Sequence, residues 1–197
     1  MAKIIKEDIA DMLSLLHYYP KITALITSQA KGRDNVMPST WNTPVAVNPP
    51  LYGVTISPEG FTYQLIAESK EFGVNFLPFE MAKLSAAAGG CSGRDIDKFQ
   101  RFDIGRDKPV QTGVPILKHA YASYECRVVD EREFGDHRFF VGKVVAVHFR
   151  PEVFTPGEQL DMSKVDPILY IGRDVYLSTA KDTVGKLDRE VYSKKDI

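Results

Sequence analysis

The sequence predicts a β-rich α+β domain with short helices inserted between strands. Three observations carry this expectation. Between positions 22 and 76, β-branched and aromatic runs are broken by turn signals. From 121 to 129, Ala122, Tyr124, Cys126 and Val128 alternate with Ser123, Glu125 and Arg127, the period of a strand with one buried face. Helical spacing is confined to two short stretches, one after Thr62 and one after Glu80. The 197 residues suit a single domain spanning 1–197, with 151–197 as a loop-rich extension packed on its body.

The elements follow in order. Residues 22–28 form a strand, the polar 29–34 a hairpin-type connection, and 35–41 the returning strand. Pro49 and Pro50 cannot donate to a sheet ladder, so the next strand, 51–57, starts after them. Thr62 is placed as the N-cap of a helix in which Tyr63, Ile66 and Ala67 share a face and Glu68 and Lys70 meet solvent. Residues 72–77 read as a short strand closed by Pro78, and 80–88 as a second helix ended by Gly89-Gly90. After 121–129, the turn 133–137 leads into a strand over 138–149. That strand is apolar on both faces, so a core lies on one side and a helix or another subunit on the other.

Composition and motifs remove several function classes. With 25 basic against 26 acidic residues and a net charge of -1, the chain has no nucleic-acid footprint and no polybasic membrane patch. The charged start Met1-Ala2-Lys3-Ile4-Ile5-Lys6-Glu7-Asp8 lacks the apolar run of a signal peptide. Cys91 and Cys126 are too few for a disulfide scaffold and read as thiols of a reducing cytoplasm. No metal site is expected, because His17, His119, His137 and His148 lack ligand spacing. Hydrolase elbows, phosphate-binding P-loops and the glycine fingerprint of a Rossmann unit are also missing.

Short polar clusters at strand ends remain. Ser39-Thr40-Trp41-Asn42 joins two hydroxyls, an indole and a carboxamide, which suits a flat aromatic ligand with a polar edge. The same four residues also read as a strand end anchored by the lone tryptophan. Ser57 and Thr62 bracket a helix start able to hold an anion, or Thr62 simply caps it. In Gly90-Cys91-Ser92-Gly93-Arg94-Asp95, small residues admit a ligand close to the backbone and Arg94 is suited to phosphate. Lys98 shares its side if a helix begins there; otherwise the stretch is a solvated glycine-rich loop. His137 opens a strand and is either a surface residue or a substrate-side imidazole.

In succession, Met37-Pro-Ser-Thr-Trp-Asn42, Pro49-Pro-Leu-Tyr-Gly-Val-Thr-Ile-Ser57, 62–75, Cys91-Ser-Gly-Arg-Asp-Ile-Asp-Lys-Phe99 and Gly135-Asp-His-Arg-Phe-Phe-Val-Gly-Lys-Val resemble the flavin reductase-like, FMN-binding split-barrel family, which includes flavoredoxins and archaeal ferric reductases. The resemblance runs from about Leu15 to Phe149 and touches the tail only around Pro167-Ile-Leu-Tyr170. It implies a split β-barrel and a homodimer with FMN in or near the subunit interface. It also implies that Ser39, Thr40, Trp41 and Asn42 meet the isoalloxazine ring. Ser57, Thr62, Ser92, Gly93, Arg94 and Lys98 would surround the ribityl chain and phosphate, with Asn75 and Phe76 lining the pocket. His137 is the implied substrate-side catalytic residue. The chain departs from the family at Glu59-Gly60, where relatives place a basic residue. The implied activity is reduction of flavin or a related acceptor by NADH or NADPH. A flavoredoxin-type electron carrier and a non-enzymatic binding module on the same barrel are the alternatives.

Overall fold

The computed structural model describes residues 18–185 and Arg189. The charged N-terminus, His17, the start of the resemblance at Leu15 and the remainder of the C-terminal stretch lie outside those residues. The strands are β1 (Lys21–Ile22), β2 (Ala24–Ala30), β3 (Arg33–Ser39), β4 (Asn42–Ala46), β5 (Leu51–Ile56), β6 (Glu71–Phe76), β7 (Arg106–Asp107), β8 (Ile116–Leu117), β9 (Ala122–Phe134), β10 (His137–Phe149), β11 (Leu169–Tyr170) and β12 (Tyr176–Leu177). The helices are α1 (Phe61–Ser69), α2 (Ala82–Gly89) and α3 (Lys98–Arg101).

Seven strands form one sheet in the order β3-β2-β6-β9-β10-β5-β4. Its two edges, β3 and β4, are consecutive in the chain and separated only by Thr40 and Trp41. Laid flat, the edges of seven strands would stand roughly 29 Å apart at about 4.8 Å per strand. The connection reaches about 10 Å at full extension. The sheet therefore has to curl until its edges nearly meet, which makes a split β-barrel. Ile26, Val54, Phe72, Val74, Cys126 and Phe140 fill its interior, all of them fully buried. A second core, with Leu25, Val36, Leu77, Phe99 and Ile168, packs against the outside of β2 and β3. Burial places the Cys126 thiol in the first core and pushes its pKa up to about 12.

Several expectations change in detail. The hairpin between β2 and β3 turns on Lys31 and Gly32 alone, both at positive φ (51° and 73°), the tight geometry that matches strand twist. Trp41 lies outside β3, and the added strand β4 pairs with β5. Pro44 is tolerated there because β4 is an edge. Thr62 is not the cap: Gly60 holds that position, no side chain caps the helix, and Thr62 is its buried second residue. Leu65 joins Ile66 on the buried face of α1. The tail beyond 151 is loop-rich but adds β11 and β12, which form a three-stranded sheet with β1.

The largest correction concerns β9. Period two assigned Ser123 and Glu125 to solvent, yet both are buried, and the segment 110–112 crosses over Glu125. Glu125 accepts from the Val110, Gln111 and Thr112 amides at 2.7–2.8 Å, from the Thr112 hydroxyl at 2.8 Å and from His148 Nε2 at 2.7 Å. On β10, register shifts beside Gly142 and Val145 interrupt the expected alternation. Phe149 packs edge-on against Phe154, with centroids 5.3 Å apart, yet Val147 and Phe149 remain 56% and 44% exposed.

Candidate functional site

A groove follows β3 past the start of α1, the loop after α2 and the β11–β12 hairpin. It consists of two cavities, about 450 and 390 Å³, that share Met37, Gly89 and Gly90. Each lies within the size range of small-molecule sites. The smaller is walled by Thr62, Ser92, Gly93 and Lys98, and the larger by Thr23, Thr40, Tyr170 and Tyr176.

The smaller cavity is built for an anion. The first N–H groups of α1 have no partner within the helix, as in any helix, and here no side chain caps them. Asn35 Nδ2 donates to Thr62 Oγ1 at 2.8 Å, which leaves the Thr62 hydroxyl proton free to be donated. Across the cavity, the backbone N–H groups of Ser92 and Gly93 donate to nothing among the described residues. Gly93 is required here: a Cβ would fall 2.1 Å from Asn35 Oδ1 and 3.0 Å from the Phe61 ring. Lys98 is 4% exposed, and its ammonium donates to Val36 O at 3.0 Å and Ala88 O at 2.6 Å. That leaves one N–H of the ammonium unused by these carbonyls. Burial lowers the Lys98 pKa, opposed by the neighbouring Cys91 thiol.

Thus Thr40, Thr62, Ser92, Gly93 and Lys98 line one groove, while other expected residues stand elsewhere. The Arg94 guanidinium donates to Glu59 O at 2.6 Å, so the arginine occupies the backbone of the very turn where the acidic departure occurs. Lys98 starts α3 under an Asp97 cap, which puts Arg94 outside that helix and removes the expected shared side. Ser57 Oγ accepts from Glu59 N within the turn. Asn75 is fully buried; it donates to Leu25 O and Thr27 Oγ1 and accepts from Leu117 N, so its amide braces three segments and does not line the groove. Phe76 belongs to an aromatic cluster with Tyr52, Tyr121 and Tyr124.

The linker between the sheet edges is held from several sides. Ser39 Oγ accepts from Trp41 N at 3.2 Å, and Trp41 O accepts from Thr55 N at 2.9 Å. The Asn42 amide donates to Ser39 O at 2.9 Å and accepts from the Tyr52 hydroxyl at 2.6 Å. Asn42 therefore shapes the linker and does not present its side chain. Trp41, 38% exposed, leans on the His137 ring with centroids 4.7 Å apart, and His137 Nδ1 pairs with Asp136 at 2.7 Å.

The groove also contains residues that the sequence did not reveal. Thr23 Oγ1 and Asn35 Oδ1 are buried without a partner among the described residues. Asn35 and Met37 keep the period of β3 with Ser39, and this phase was the available signal. Tyr170, Asp174 and Tyr176 reach the groove from the tail, where only Tyr170 lay in a matched stretch. These features fit FMN: an uncapped helix start and loop amides for phosphate, unpaired polar atoms for its hydroxyls, and a glycine cradle. Among the described residues, no group of three or more His, Cys, Asp or Glu could hold a metal ion. No helix of the described residues is long and apolar enough to cross a membrane.

Comparison with known proteins agrees with this picture. The model of the Flavin reductase like domain matches residues 16–177. A solved flavoredoxin from Methanosarcina acetivorans is 30% identical with a TM-score of 0.84, covering 98% of this chain and 99% of that one. An FMN-binding protein from Thermus thermophilus, solved with 1-cyclohex-2-enone, is 34% identical with a TM-score of 0.81, covering 94% and 99%. An NADH-dependent flavin reductase from Rhodococcus sp. is 30% identical over 141 residues, covering 69% of this chain and 76% of the relative.

Proposed function

The chain belongs to the flavin reductase-like family, and on that premise we propose that it is an FMN-binding oxidoreductase reduced by NADH or NADPH. The observation that carries this reading is the set of donors that border the smaller cavity together. The uncapped start of α1, the Ser92-Gly93 loop with its unpartnered amides, and Lys98 all line it. Such an arrangement recognises a phosphate by its charge and its oxygens together. Thr62, Ser92, Gly93 and Lys98 hold the phosphate end, while Ser39, Thr40 and Trp41 offer hydroxyls and backbone groups to the ring. When bound, FMN supplies the hydride and electron chemistry, and the protein supplies orientation and electrostatics. His137, paired with Asp136 and tilted against the Trp41 ring, faces the incoming substrate. The exposed Val147 and Phe149 are the face on which a second copy packs, giving a homodimer in the cytoplasm.

The test is a spectrum of the purified protein followed by anaerobic NADH or NADPH. The expected result is flavin absorbance that bleaches with at least one donor; FMN-loaded protein that bleaches with neither refutes the reductase reading. The flavoredoxin similarity favours one alternative, an electron carrier exchanging electrons with protein partners. A carrier bleaches rapidly only when a partner reductase is added.

A further inference from the structure

Arg33 opens β3 at the hairpin turn, away from every motif of the sequence. Its guanidinium donates to the Gly93 carbonyl at 2.6 Å and reaches the Arg94 carbonyl at 3.5 Å. The same group lies over the Phe61 ring, 4.8 Å from its centroid. Phe61 is the first residue of α1 and Gly93 belongs to the loop across the cavity, so one side chain ties the two donor-bearing walls together. Arg94 adds a second strap, from that loop back to Glu59 O in the turn before α1. The seat between them has no slack, since Gly93 is already in contact distance of Asn35 and Phe61.

We propose that Arg33 is a positioning residue of the groove: it clamps the loop 91–95 to the start of α1 and so presets the Ser92 and Gly93 amides for a phosphate. The proposal rests on the flavin reading and assigns the clamp to shape more than to charge. A planar guanidinium donates along its edge while its face covers a ring, whereas an ammonium cannot do both in one plane. Donors fixed before the ligand arrives need no ordering on binding, so the clamp adds affinity for the phosphorylated flavin specifically.

The experiment compares the full-length wild type with R33A and R33K, using amide hydrogen exchange of the flavin-free protein and titrations with FMN and riboflavin. Riboflavin lacks the phosphate, so the ratio of the two affinities isolates the phosphate end from general damage. In R33A, exchange at the bonded loop amides of Arg94, Asp95 and Ile96 accelerates about tenfold while β2 and β6 keep wild-type protection, and the FMN-to-riboflavin ratio falls about tenfold. R33K keeps the charge and follows R33A in both measurements. Unchanged exchange at 94–96, an unchanged ratio in R33A, or wild-type behaviour of R33K overturns the clamp. A wild type that binds neither flavin overturns the flavin reading itself, a result distinct from flavin binding with an unaltered ratio.

Discussion

Replacing Glu125 with glutamine separates the stability of the barrel from its chemistry. The carboxylate is fully buried, and burial alone pushes its pKa upward. Hydrogen bonds from Val110, His148, Gln111 and Thr112 outweigh burial and bring it from the usual 4.5 down to about 2. A depressed carboxylate stabilises the fold above its unfolded pKa, near 4.5, and that contribution disappears as pH falls through about 2. Each pH unit between those two values is worth about 1.4 kcal/mol, so the ionised form contributes on the order of 3 kcal/mol at pH 7. Glutamine mimics the protonated state and turns an N–H₂ toward donors. E125Q is therefore less stable by about 3 kcal/mol at pH 7, a drop of roughly 6–12 °C in Tm for a chain of this length. Thermal and urea unfolding of both proteins from pH 7 to about pH 2.5 read the difference. The gap stays constant down to about pH 5 and then narrows, because the unfolded wild-type chain takes up a proton at Glu125 that the folded carboxylate does not. A gap that remains constant across the whole acid range, or is absent at neutral pH, refutes the assignment.

Three further outcomes follow from the groove. G93A forces a Cβ against Asn35 and Phe61; it costs about 1–3 kcal/mol by melting and weakens FMN in titration. K98M leaves Val36 O and Ala88 O without their donor, lowering stability by about 2 kcal/mol and weakening FMN more than riboflavin. H137A preserves FMN affinity and the flavin spectrum but raises KM for the nicotinamide donor severalfold in steady-state kinetics, because the ring stands beside Trp41 and outside the phosphate end.

The strands were legible wherever one local rule governed them. The runs expected as strands at 51–57 and 72–77 are flanked by turn signals, and each lies within one residue of an observed strand, β5 and β6. β4 was hidden because Pro44 and its exposed neighbours carry no burial pattern at a sheet edge. Glu125 was misassigned because its cover, 110–112, arrives from a distant stretch, and alternation describes only the strand itself. The groove shows the same division. Ser92, Gly93 and Thr62 were found from residue type, but what each one does depends on remote partners. Asn35 turns Thr62 from a cap into an oriented hydroxyl. Glu59 draws Arg94 away with a carbonyl, an atom every residue possesses and no motif reports.

The two-residue join between β3 and β4 acts as a length constraint on the whole barrel. Because Thr40 and Trp41 alone connect opposite margins of the sheet, the circumference of the fold is fixed at the point where the groove begins. One inserted residue would relax the curl and displace Thr40 at the same time, without altering any other side chain. Conversely, a ligand held at Ser39–Asn42 fastens the seam and resists opening of the cylinder. Binding and closure are then the same mechanical event, set by how much chain is used in crossing the split.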